Sequence, residues 1–405
     1  MKLKYTFREV DERLNGRDLP LLSVSKIHGV VLRSELSGDG GRAESIDHYK
    51  TCTPGDLVIN RMAAYQGAIG VSKLEGAISP DYSVIRGDQV SIQFLFHLLK
   101  SSLGIAIVSS LLRGIGSAES GSVRTPRLNW KDLAEVDISL PSKEVMSGVN
   151  QSLDQETSQI DALISKKEQL IEKLLERRQA FIVEVLSKGR GETSSTFPGP
   201  YLLMSPSNWK VVRVGQVAEL VNGFPFDSDK FFPEGQIPLV RIRDLLSKDF
   251  ETFLSSLSDV PSDKYLISDD DLAIGMDGDF NSILWTRGSA AVNQRVCFLR
   301  FKTRLEARFA SFVIPLALKQ INEVTYSTTV KHLSSGQIVK IPIALPPPSR
   351  LGEVVETLES ETFRIDTLVE KARKAIELLK ERRQALITQV VTGKIDVRGF
   401  AGGNS

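Results

Sequence analysis

The side chains of this 405-residue chain that could do chemistry are scattered where catalysis would need them together and gathered where recognition would use them. Its histidines, His28, His48, His97 and His332, are dispersed. No GxSxG elbow, P-loop, HExxH helix or Asn/Asp-Pro-Pro-aromatic run occurs. The run GDGGR at 38–42 lacks the strand-to-helix context of a nucleotide-binding loop and reads as a surface turn. Cys52 and Cys297 stand far apart without CxxC spacing, which implies neither a disulfide framework nor a zinc site. By contrast, Arg113, Arg124, Arg127 and Lys131 lie among glycines and serines in LLRGIGSAESGSVRTPRLNWK, 111–131. Asn60, Arg61, Tyr65 and Gln66 follow the strand-like GDLVI. Asn222, Phe224, Arg241, Arg243, Asn281, Arg287, Asn293, Gln294 and Arg295 are comparable in the second half, with Lys331 and His332 in YSTTVKHLSSGQ, 326–337. Arg, Lys, Asn and Gln are the types that hold phosphates and hydrogen-bond base edges. A solvated loop, or a structural ion pair for Arg61, accounts for the same residues without recognition. Arg241 and Arg243 alternate in PLVRIR, a spacing that on a strand puts both on one face.

The elements that must position these residues occur twice. ERRQA at 176–180 recurs at 381–385, and the same shift of 205 residues pairs Ile160-Asp161 with Ile365-Asp366, ISLP at 138–141 with IALP at 343–346, and Leu128 with Leu333. It also sets Lys331 and His332 opposite Pro126 and Arg127. Upstream the match is weaker: ISPDYSVIR at 78–86 resembles VNQRVCFLR at 292–300, and Asp56-Leu57-Val58-Ile59 resembles Asp271-Leu272-Ala273-Ile274. The different shifts there require a length change in a loop, which loops tolerate. From 156 to 187 apolar residues return at three- and four-residue spacing with Glu, Lys, Arg and Gln between them, and the stripe repeats after Ile365. Each stripe reads as a long amphipathic helix, ending near Gly189 and Gly393. Covering both stripes is simplest if the helices pack antiparallel. GDLVINRM, YSVIR, PLVRIR and RVCFLRF read as strands, and SIQFLFHLLKSSLG and RLEARFASFVIPLALKQ as short amphipathic helices, giving two α+β domains.

Hydrophobic residues at 41% and charged residues at 25% are ordinary for globular material. The net charge of +1 supplies no whole-molecule attraction for nucleic acid, so any basic surface must be local. The charged start MKLKYTFREVDERLNG does not read as a signal peptide, and no run approaches the ~18 apolar residues of a membrane span. A cytoplasmic protein is expected.

A domain, then IxLP, then a long helix carrying ERRQA, and all of it again, resembles the specificity subunit of type I restriction-modification systems. The resemblance covers nearly the whole chain, and GDLVINRMAAYQGAIGVSKLEGAISPDYSVIR at 55–86 is typical of one class of target recognition domain. It implies an α+β chain with target recognition domains at 1–144 and 208–348. Long spacer helices at 145–188 and 349–392 would pack as an antiparallel coiled coil, with a linker at 189–207 and a flexible tail at 393–405. It further implies a non-catalytic subunit that reads a bipartite double-stranded DNA target, one half per domain. Two methyltransferase subunits would bring S-adenosylmethionine to adenine N6, and two restriction/translocase subunits would complete the complex, this chain binding no cofactor itself. Arg177, Arg178, Arg382 and Arg383 would then either meet the methyltransferases or simply solvate the helices. Competing readings are a coiled-coil scaffold without DNA recognition, the specificity chain of a related system that cleaves on both sides of its target, and an enzyme of unrecognised type.

If the helices act as a spacer, one added turn is worth ~5.4 Å. Lengthening both helices by one turn is expected to widen the unread gap between the half-sites and leave the half-sites intact, as read by mapping methylated adenines. An altered half-site with an unchanged gap would refute the spacer role.

Overall fold

The computed structural model describes residues 1–26, 28–36, 46, 48–112, 126–187, 208–324 and 331–395. The 38–42 turn, Arg113, Arg124, the segment 189–207 and the tail from 396 lie outside the described residues. The chain divides into two compact units, Met1–Leu170 with Ala372–Ser405, and Ile171–Lys371.

In the first unit the strands are β1 (Arg8–Val10), β2 (Leu22–Ser25), β3 (Gly29–Leu32), β4 (Lys50–Cys52), β5 (Leu57–Asn60), β6 (Ile69–Val71), β7 (Gly76–Ile78) and β8 (Tyr82–Arg86). The helices are α1 (Arg33–Leu36), α2 (Gln89–Lys100), α3 (Ser102–Ser110), α4 (Trp130–Leu133) and the start of α5 (Lys143–Ser187). The main sheet is antiparallel in the order β1-β8-β5-β6. Its central strand explains the β-branched run DLVIN. Leu57 and Ile59 point into a core shared with Ile92, Leu95 and Leu99 of α2, while Val58 between them points into a second core with Val24, Cys52 and Val84. Alternation thus serves two hydrophobic layers, and there is no solvent face to carry polar residues.

The second unit repeats this plan. Its strands are β9 (Lys210–Arg213), β10 (Ala218–Asn222), β11 (Ile237–Val240), β12 (Phe253–Leu254), β13 (Leu266–Ile267), β14 (Leu272–Gly275), β15 (Ser282–Leu284), β16 (Ala290–Val292), β17 (Val296–Phe301) and β18 (Pro342–Leu345). The helices are α6 (Val214–Val217), α7 (Arg304–Val324), α8 (Ser335–Val339) and α9 (Pro348–Val391). The sheet β10-β17-β14-β15 places Leu272 and Ile274 against α7 and sends Ala273 to a second core with Trp285 and Phe298, as Leu57, Ile59 and Val58 do in the first unit. Beside it lies the mixed sheet β12-β11-β16-β13. Two elements depart from expectation. Helix α7 is not short, running 21 residues through Pro315. Strand β11 stops at Val240, so Arg241 and Arg243 are not strand neighbours: Asp244 accepts from the Arg241 backbone N–H at 3.2 Å and closes a 3-10 turn over Ile242–Asp244.

The long helices span 45 and 44 residues, and Gly393, at φ +70°, stands just past the end of α9 in the left-handed conformation that terminates helices. Each compact unit contains a part of each helix. In the first, Met146, Val149 and Leu153 of α5 pack with Ile387 and Val390 of α9, and Arg383 donates to Asp161 at 2.8 Å. In the second, Ile182, Val185 and Leu186 of α5 pack with Val355 and Leu358 of α9, and Arg178 donates to Asp366 at 2.9 Å. Within each unit the two segments run antiparallel, and the ion pairs are the same pair under the 205-residue shift.

Apolar contact, not charge, carries this packing. Leu153→Ala is expected to destabilise the first unit by about 3 kcal/mol, and Asp161→Ala, whose pair is half exposed, by less than about 1 kcal/mol. Hydrogen exchange of α5 and α9 amides checks this, and equal losses would overturn the ranking.

Candidate nucleic-acid interface

Both main sheets are locked at one end and open at the other. The lock is a buried carboxylate just before the central strand. Arg86, ending β8, donates Nε and Nη2 to Asp56 at 2.7 Å each, and Thr53 adds its backbone N–H and hydroxyl at 2.9 Å. In the second unit Arg300 of β17 donates to Asp271 at 3.1 and 2.7 Å, and the Ser268 N–H adds 3.0 Å. Burial alone would push the Asp56 carboxyl up, but the Arg86 and Thr53 hydrogen bonds outweigh it and hold the group below the usual carboxylate range.

The opposite end of the second sheet gathers most of the candidates of that half. Asn222 ends β10, Asn293, Gln294 and Arg295 form the β16–β17 turn, and Asn281 lies in the β14–β15 loop with Asp277. Gly223 permits the close approach, since a Cβ there would overlap the Asn293 carbonyl oxygen. Backbone bonds zip the segments together: Met276 N–H to the Arg295 carbonyl at 3.0 Å, Leu333 N–H to Met276 at 2.7 Å, and Gly278 N–H to Lys331 at 3.0 Å. Ser335 donates to Asn222 Oδ1 at 2.6 Å. His332 Nδ1 lies 2.7 Å from Asp277 Oδ1, and Arg295 Nη1 lies 3.2 Å from Asp277 Oδ2. Phe224 is instead packed among Phe226 and Tyr265.

The first sheet has the corresponding rim. Leu128 N–H donates to the Arg61 carbonyl at 2.9 Å, as Leu333 does to Met276. Arg127 lies 3.2 Å from Asp81, and Gln66 is exposed beside Tyr65, to whose hydroxyl it donates at 2.7 Å. The Asn60 side chain accepts from the Met62 N–H at 3.2 Å.

Several expected contacts are committed internally. Arg61 donates Nε to the Leu128 carbonyl at 2.9 Å and Nη2 to Asn129, so it fastens the return segment, and it forms no ion pair among the described residues. Lys331 donates to Asn322 at the end of α7. Arg287 lies over Trp285 and reaches the Ser247 carbonyl at 2.7 Å. Arg241 is only 22% exposed and faces Asp244 and Phe231, whereas Arg243 is 59% exposed. Arg178 and Arg383 belong to the helix ion pairs, leaving Arg177 and Arg382 exposed. Asp81 and Asp277 join the rims as acceptors, which the donor types that mark recognition in the sequence do not point to. Both sit beside strands that the repeat had marked. Among the described residues no cluster of His, Cys, Asp and Glu could hold a metal ion, and no single helix is long and apolar enough to cross a membrane.

Residues 206–378 match the family described as type I restriction modification DNA specificity domain, so the second half of the chain carries that domain. The chain is 34% identical over 196 residues to the type I restriction enzyme EcoBI specificity subunit of Escherichia coli, covering 48% of this chain and 41% of that protein. It is 23% identical over 321 residues to the MjaVIII specificity subunit of Methanocaldococcus jannaschii, covering 76% and 71%. The match thus spans about two fifths of the length of the first relative. A solved chain from a structure concerning complex assembly and conformational transition of the type I R-M system shares the fold, with TM-score 0.66, 15% identity and coverage of 98% and 97%.

The lock generates a pH dependence. Because the Asp56 carboxyl titrates below its ordinary value, its stabilisation is complete above that value and is lost as pH falls through the lowered one. Asp56→Asn is expected to cost about 3 kcal/mol at neutral pH and to flatten this acid limb. Hydrogen exchange of β5 and β8 across pH provides the measurement, and an unchanged acid limb in the variant would contradict the assignment.

Proposed function

We propose that this chain, whose residues 206–378 carry a type I DNA specificity domain, is the non-catalytic, sequence-specific DNA-binding subunit of a type I restriction-modification complex. The observation that carries the proposal is one scaffold built twice with different polar rims. The Asp–Arg lock, the doubly buried central strand and the Leu128 and Leu333 backbone bonds recur. The side chains on the open ends do not: Gln66 and Arg127 on one, Gln294, Arg295 and His332 on the other. Two equal frames with unequal rims suit a bipartite, asymmetric target.

Partners follow from the same reading. Methyltransferase subunits carrying S-adenosylmethionine would modify an adenine in each half-site, and restriction/translocase subunits would join them in the cytoplasm. Leu163 and Leu368, equivalent under the repeat, are 48% and 44% exposed on the long helices, and the exposed Arg177 and Arg382 are likewise equivalent. This pairing of sites favours two copies of one partner. The near-neutral charge of +1 favours the rival reading, a scaffold whose domains bind no DNA.

Co-expression with the neighbouring methyltransferase subunit, followed by genome-wide mapping of methylated adenines, separates the two. A bipartite motif is expected, and exchange of residues 208–348 for those of a relative should change one half of it. Methylation indifferent to deletion of either domain would sink the proposal.

A further inference from the structure

Most cations near the rim of the second unit are already occupied. Arg241 is largely buried on Asp244, Lys331 is fastened to Asn322, and Arg287 is stacked on Trp285. Arg295 differs. It sits at the tip of the β16–β17 turn, is 58% exposed, and forms an ion pair with Asp277, Nη1 lying 3.2 Å from Oδ2. The edge formed by Nε and Nη2 donates no hydrogen bond among the described residues. That edge is a planar two-donor fork, the shape that matches guanine O6 and N7 in the major groove.

Asp277 is held in turn. Its other oxygen meets His332 Nδ1 at 2.7 Å, and its loop is bonded on both sides, Met276 N–H to Arg295 and Leu333 N–H to Met276. The carboxylate is therefore fixed by a frame and is only 20% exposed. A fixed anion beside one end of the guanidinium narrows the orientations of its remaining edge, which lowers the ordering cost of a directional contact. Simple phosphate attraction would not need the anion, and Asp277 subtracts from it. In the first unit the signs are exchanged: under the repeat Arg127 stands where His332 stands, and the carboxylate Asp81 near the place of Arg295.

Resting on the DNA-binding reading above, we propose that Arg295 reads a guanine in the half-site of the second domain and that Asp277 is the positioning residue that sets its plane. The test uses the full chain co-expressed with its methyltransferase subunit on a plasmid library randomised over that half-site. Arg295→Ala and Arg295→Lys should each reduce the preference for guanine at one position about tenfold, leaving other positions and the first half-site unchanged. Asp277→Asn should relax the same position while total methylation does not fall. Uniform weakening by Arg295→Ala that Arg295→Lys restores would make the residue a phosphate contact and overturn the proposal. Unchanged preference in both Arg295 variants would overturn it too, and relaxation by Arg295→Ala but not Asp277→Asn would refute the positioning role. A wild-type complex that yields no bipartite motif defeats the DNA-binding reading itself, and this inference with it.

Discussion

An amphipathic helix longer than the domain it leaves must find cover for the rest of its apolar stripe, and the architecture depends on how that need is met. Each long helix divides its stripe between the two compact units. Leu153 is covered by Ile387 in one, and Ile182 by Val355 and Leu358 in the other. Burial of such side chains contributes roughly 1.5–3 kcal/mol each, well above what a half-exposed ion pair supplies. The pairs Arg178–Asp366 and Arg383–Asp161 are better understood as setting register: each tolerates only one axial alignment of the two segments. ERRQA and Ile-Asp recur together because they are the two ends of one contact.

Within the domains the division of labour is equally physical. A buried carboxylate without its arginine would be costly, so the Asp56–Arg86 and Asp271–Arg300 pairs tie together the two inner strands of each sheet. The opposite ends carry no such obligation. Polar side chains such as Gln66, Gln294 and Arg295 can differ between the copies without disturbing either core, because backbone bonds and a few committed side chains, Arg61 and Lys331 among them, hold the rim segments in place.

Periodicity made the helices and central strands legible in the sequence, and the repeat made the two-domain plan legible without any gap over the helices. What escaped depends on where a side chain's donors go. Arg61 and Lys331 have the composition of recognition residues, yet a carbonyl and an asparagine already engage them, and nothing in their spacing announces those partners. Arg241 and Arg243 continue the β-branched run PLVRIR in composition, yet the strand ends at Val240. The Asp244 that closes the turn stands three residues after Arg241, a capping spacing that was open to view. Asp81 and Asp277 matter for what they orient, a role that composition does not reveal.

The sharing of the helices also has a consequence in time. The side chains that cover Met146, Val149 and Leu153 come from Ile387 and Val390, so this part of the first unit cannot close until residue 390 has left the ribosome. At synthesis rates of about 5–20 residues per second, the roughly 240 residues between those contacts take on the order of 12–50 s. Through that interval the apolar face formed by Met146, Val149 and Leu153 lacks the cover that Ile387 and Val390 later give it.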